Sequence, residues 1–192
     1  MQTEFNVTGE YYLTGVHEMA SGFKINDDNT FNFFFMYGAL DRYGSGCWKK
    51  VGNKVIFQSE KWKGSDFKLF GSEKTCSDNI MVEIHSENKI LLQYVFASLE
   101  NGKEGSWRPA SKDGMIVFEK TEISKVNLAM EFCPERFSSI RIENSNHNHF
   151  KFIFEPWIFE YFFNKFCLTF ENKTLTGKHP LIGNQDFLFI KH

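Results

Sequence analysis

Proline is scarce in this chain, with four in 192 residues. Together with 42% hydrophobic and 24% charged residues, that excludes disordered, collagen-like and low-complexity classes. No charge of one sign dominates. The formal net charge is -2; residues 1–77 hold nine basic and nine acidic side chains, and residues 78–146 hold eight and eleven. With no basic stripe, the electrostatic footprint of a nucleic-acid binder is missing, and no nucleic-acid partner is expected. A long apolar run is also missing. The richest stretch, Phe150 to Phe170, is broken by Lys151, Glu155, Glu160 and Lys165, so no transmembrane segment is expected. Met1 to Gly9 has neither a basic start nor an apolar stretch. The expectation is a chain without a signal peptide, in the cytoplasm, with delivery into another cell left open.

Cysteine is sparse too. Cys47, Cys76, Cys133 and Cys167 stand at long intervals that match no metal-ligand spacing. Without export they are expected to be buried free thiols, and the sequons at Asn6 and Asn172 to carry no meaning. No Gly-x-Ser-x-Gly elbow, phosphate loop, dinucleotide fingerprint or calcium loop occurs. The sequence therefore assigns no catalytic residue, no metal and no cofactor.

Phenylalanine is what the chain has in excess, with 23 residues. Flat bulky rings pack well on a pleated surface, so this number points to a β-rich core or a large apolar cavity. The local pattern agrees. Phe23 and Ile25 alternate with Lys24, Asn26-Asp27-Asp28-Asn29 supplies a turn, and Phe31 and Phe33 alternate with Asn32, which reads as a hairpin. Gly46 to Val51, a Gly52-Asn53 turn and Lys54 to Gln58 read as a second hairpin. A strand is expected near Phe67 to Phe70, followed by a polar linker over Gly71 to Asn79. Strands at Ile80 to Ile84, Leu91 to Ala97, Met115 to Phe118, Ile123 to Met130 and Phe137 to Ile142 suggest a small sandwich. After Asn144-Ser145-Asn146, Phe150, Phe152 and Phe154 alternate up to Pro156. An aromatic stretch, a turn at Glu171-Asn172-Lys173 and a closing strand from Asp186 to Ile190 follow.

An ordered string near the start carries a resemblance: Gly9-Glu10-Tyr11-Tyr12-Leu13, Gly15 to Gly22, Phe31, Tyr37-Gly38-Ala39-Leu40-Asp41-Arg42-Tyr43, Gly46 and Trp48. It resembles the start of a bacterial family without an assigned activity. In that family an N-terminal meander similar to a lipocalin or fatty-acid-binding barrel is interrupted by an immunoglobulin-like insert. The insert is similar to the prealbumin-like regulatory domain of carboxypeptidases. Asn29 departs from the glycine that the family often carries after Asp, at small cost because Asn also accepts the turn. The resemblance implies an all-β chain: a lipocalin-like antiparallel barrel from both chain ends, residues 1–77 and 147–192, with a small β-sandwich inserted at 78–146.

Five polar residues flank one hairpin and its turn: Glu18, Ser21, Tyr37, Asp41 and Arg42. At the mouth of an apolar cup such a set would orient a ligand, and Glu18 with Asp41 would make an acid–base pair. A plain ion pair of Arg42 with a carboxylate accounts for the same residues. His17-Glu18-Met19-Ala20-Ser21 falls short of a zinc-protease motif because Ser21 stands where the second histidine belongs. His147 and His149, with His179 or a carboxylate, have strand spacing for a metal, but exposed loop histidines explain them as well. Trp157, Phe159 and Tyr161 belong to a stretch too apolar for a solvated strand, so they are core, a dimer or partner interface, or a membrane-surface contact. Three functions fit: a non-catalytic module binding a small apolar ligand in the barrel or a protein partner through the sandwich; a hydrolase- or isomerase-type enzyme on Glu18 and Asp41; or an interaction protein with a filled barrel. Oligomeric state is left open.

Overall fold

The computed structural model describes residues 6–38, 40–103, 105–144 and 146–192. Met1 to Phe5 of the N-terminal stretch, Ala39 of the resemblance string and Ser145 of the polar stretch lie outside the described residues. The chain is all-β and separates into two compact units, residues 1–62 with 159–192, and residues 63–158.

The first unit is a closed antiparallel barrel. Its strands are β1 (Gly9–Thr14), β2 (Met19–Ile25), β3 (Thr30–Tyr37), β4 (Leu40–Val51) and β5 (Lys54–Gln58). The strands β14 (Phe166–Glu171), β15 (Thr174–Lys178) and β16 (Asp186–Lys191) complete it, and β16 closes onto β1. Every neighbour in space is a neighbour in sequence except at the β5–β14 step, where the second unit is inserted, and at the closure. Short local turns produce this order. Asn29 takes a positive φ of 66° and the Asn26 amide donates to the Thr30 carbonyl at 2.9 Å, closing the β2–β3 hairpin. Asn172 and Lys173, at φ 48° and 65°, close β14–β15.

Strand alternation sends Phe23, Phe31, Phe33, Phe35, Phe57 and Phe189 inward, all buried. Phe163, from the stretch before β14, completes the core. Its amide donates to the Ser59 hydroxyl oxygen at 3.0 Å, and its carbonyl accepts from the Ser59 amide at 2.8 Å. Its ring meets Phe23, Phe31, Phe33 and Tyr161 at centroid separations of 4.8–5.9 Å, all edge-on. Gly44 makes room for it, because a Cβ there would stand 2.7 Å from the Phe163 ring and 2.8 Å from the Tyr161 carbonyl. No helix forms over Tyr161 to Cys167: Phe159 and Tyr161 bond the backbone of Tyr43 on β4, at 3.4 and 2.7 Å, and β14 begins at Phe166 and pairs with β5.

The second unit holds two four-stranded sheets. One has the order β10-β7-β13-β6, from β6 (Phe67–Glu73), β7 (Ile80–His85), β10 (Met115–Phe118) and β13 (His149–Phe154). The other is β12-β11-β8-β9, from β8 (Val95–Glu100), β9 (Arg108–Pro109), β11 (Lys125–Met130) and β12 (Ser138–Arg141). Each has one buried apolar row: Val82, Ile84, Phe150 and Phe152 in the first, Val95, Ala97, Val126 and Leu128 in the second. A 3-10 turn occupies Lys89–Tyr94, where alternation suggested a strand from Leu91, because the Asn88 side chain caps it by accepting from the Ile90 amide.

The unit boundaries differ from the expected 77/78 and 146/147. Alternation shows that β6 and β13 are strands but not what they pair with. They pair with each other, with a register shift between Lys151 and Phe152, and β13 runs parallel to β7. Both therefore belong to the inserted unit. Among the described residues no helix is long and apolar enough to cross a membrane.

Candidate functional site

Two of the buried polar residues of the barrel lie on one cross-strand row. Ser21 on β2 pairs with Phe35 on β3, which pairs with Arg42 on β4, so Ser21 and Arg42 flank one ring on the inner face. Both are buried. His179, just after β15, joins them in the core, ringed by Phe33, Phe35, Phe187 and Phe189 at 5.4–6.0 Å.

The hydrogen bonds around His179 fix its tautomer. The Leu181 amide donates to Nδ1 at 3.0 Å, so Nδ1 is unprotonated and Nε2 carries the hydrogen. Nε2 then donates to Ser21 Oγ at 3.0 Å, and the Ser21 hydroxyl donates to the Phe34 carbonyl at 2.8 Å. Burial pushes His179 down to about 4, which keeps it neutral at pH 7. The Ser21–His179 contact has the spacing of a nucleophile and its base, yet the proton directions are reversed: the histidine donates and the serine proton is held by a backbone carbonyl. The chain of bonds satisfies buried polar groups.

Arg42 Nε donates to the Phe159 carbonyl at 3.4 Å, and its guanidinium lies 5.9 Å from the Tyr161 ring centroid. The other three members of the set stand apart from this row. Asp41 is exposed on the outer face, in register with Met36. Tyr37 is exposed at the end of β3, and Glu18 is exposed in the turn before β2 at φ 64°. Tyr161 packs on Phe163 in the barrel, Phe159 accepts from Arg42, and Trp157 in the inserted unit donates from its indole to the Ser65 carbonyl at 2.9 Å under the Lys63 ammonium.

Among the described residues no group of three or more His, Cys, Asp or Glu side chains could hold a metal ion. His149 lies on β13 between Glu83 and Glu73, at 2.8 and 3.3 Å, while His147 bonds Ser72 and Asn144 before that strand begins. Three cysteines depart from the expected burial. Cys47, Cys76 and Cys167 are exposed, Cys47 and Cys167 because they take outward positions on β4 and β14. Cys133 is buried, its thiol donating to the Ile158 carbonyl at 3.0 Å.

Sequence reasoning missed Phe163 as the centre of the core and His179 as the partner of Ser21. A signal for the first existed in Gly44, a glycine at an inward strand position. His179 had none, because its partner is 158 residues away. No protein-family model, no curated protein and no solved structure matches this chain.

Proposed function

We propose that this chain is a non-catalytic interaction protein whose barrel is filled by its own side chains. The observation that carries this is Phe163, clamped at both backbone groups by Ser59 and surrounded by rings where a barrel ligand would sit. An eight-stranded barrel is just wide enough either to be filled by side chains or to hold one small ligand, and the density of rings here favours the first. The up-and-down strand order supports a lipocalin-like identity for the barrel, and the two four-stranded sheets support an immunoglobulin-like insert of the bacterial family named above. The acid–base reading has little support, since Asp41 faces outward.

Titration with an environment-sensitive apolar dye, alongside native mass spectrometry before and after denaturation, tests the proposal. The wild-type chain is expected to take up no dye and to release no bound mass. Phe163→Ala, which empties the centre, is expected to bind one dye per chain. Stoichiometric uptake by the wild type, or a defined co-purified molecule, would overturn the filled-barrel reading in favour of a small apolar ligand.

A further inference from the structure

The outside of the barrel carries a second pattern that its interior does not explain. Cross-strand pairing sets Ile190, Tyr12, Gly22, Phe34 and Tyr43 in one outward row over β16, β1, β2, β3 and β4. Beside it, Leu188 pairs with Thr14 and Ala20 with Met36 in the next outward row. Tyr12, Met36, Tyr43, Leu188 and Ile190 are all between 36% and 47% exposed. Phe34 lies across Gly22, whose missing Cβ would stand 2.8 Å from it, and meets Tyr12 edge-on at 6.1 Å.

We propose that this face, centred on Tyr12, Phe34, Met36 and Leu188, is the contact surface of a symmetric dimer with a second copy of this chain. The first argument is area. Those exposed side chains present roughly 400 Å² of apolar surface, in the range of the largest patch a monomer shows. A standard interface needs about 800 Å² per partner, somewhat over half of it apolar, so the face supplies most of that requirement.

The second argument is self-complementarity, which a two-fold contact demands because the same patch meets itself. The face carries projecting Met36 and Leu188 side chains. It also carries a hollow of about 240 Å³ beside Tyr12 and Phe34, edged by Glu10, Lys24 and Asn32 where the strands carry Phe23 and Phe33 to the other face. Charges of both signs border it: the Glu10–Lys24 ion pair at 3.2 Å on the hollow's rim, and Asp41 beyond Met36. A one-signed partner such as an anionic membrane finds no matching field there. The proposal concerns the outside of the barrel and stands whether or not its interior takes a ligand.

Sedimentation velocity of the full chain from about 1 to 100 μM tests it, with a dimer expected to form at micromolar concentration. Met36→Glu combined with Leu188→Glu is expected to weaken association by at least about a hundredfold, through loss of central apolar contacts. Ile90→Glu, at an exposed position in the inserted unit, is expected to leave association unchanged. Peroxide oxidation of the wild-type chain gives a readout that needs no variant: Met36 should oxidise several-fold more slowly at 100 μM than at 1 μM. A chain still monomeric at 100 μM, a dimer indifferent to the double substitution, or Met36 oxidised at equal rates at both concentrations would overturn the proposal.

Discussion

The two units solve the same problem, a buried β-sheet interior, with different side chains. In the barrel the buried residues are mostly rings: Tyr11, Phe23, Phe31, Phe33, Phe57, Phe163 and Phe189. In the inserted unit they are mostly aliphatic: Val82, Ile84, Leu92, Val95, Leu99, Val126 and Leu128. The interior of an eight-stranded barrel is just wide enough for side chains to fill it, and here large rings do so. The buried polar groups of the two units differ as well. The barrel buries a neutral chain, His179 to Ser21 to the Phe34 carbonyl, and a guanidinium, Arg42, that donates to the Phe159 carbonyl. The inserted unit buries a charged pair, Arg136 Nε to Asp66 at 2.6 Å, with Arg136 also donating to the Ile158 carbonyl and the Asp66 amide donating to the Ser138 hydroxyl oxygen at 2.7 Å. The lesson is that the barrel centres its packing on the Phe163 ring, whereas the inserted unit adds the buried Arg136–Asp66 ion pair to an aliphatic core.

That contrast can be broken at either end. Phe163→Ala should cost the barrel about 3–5 kcal/mol, the usual loss for an emptied core phenylalanine. Hydrogen exchange should then rise in β3 and β5 and not in β7 or β11. Gly44→Ala should lose less, about 1–3 kcal/mol, because its new methyl group pushes on the same ring. Arg136→Ala should destabilise the inserted unit by about 3–5 kcal/mol by leaving the Asp66 carboxylate buried without its cation. Here exchange should rise in β6 and β12, with the barrel strands unchanged.

Acid provides the next test. His179 titrates near 6.5 in the unfolded chain and is held down to about 4 by burial in the fold. Between those values the unfolded state binds more protons, so the stabilisation is fully present above pH 6.5 and is lost as pH falls toward 4. The gap corresponds to about 3 kcal/mol. His179→Gln, which can still accept from Leu181 and donate to Ser21, should flatten that part of the stability–pH curve in urea titrations. The smallest effect is expected at Lys120. Its ion pair with Asp78, 3.2 Å long, is exposed on both sides. Lys120→Ala should change the unfolding midpoint of the inserted unit by no more than the equivalent of about 0.5 kcal/mol.

Much of the local structure was legible. Asn26 to Asn29 folds as the turn its side chains suggested, Gly52-Asn53 closes the next hairpin, and Phe150 to Phe154 is a strand. The polar set was legible only as far as residue type. Ser21 and Arg42 face inward and Asp41 outward because the register of β2, β3 and β4 fixes which residues of each strand share a face.

The sequence by itself determined the all-β class, the hairpins at either end of the chain and the aromatic character of the core. Those depend on alternation, turn residues and composition, which act over a few residues. Only the tertiary structure decided three further things. It assigned β6 and β13 to the inserted unit, placed Phe163 at the centre of the barrel, and joined His179 to Ser21 across 158 residues of sequence. Each depends on pairing between distant segments, and a period-2 pattern says which face a residue takes without saying which strand lies beside it.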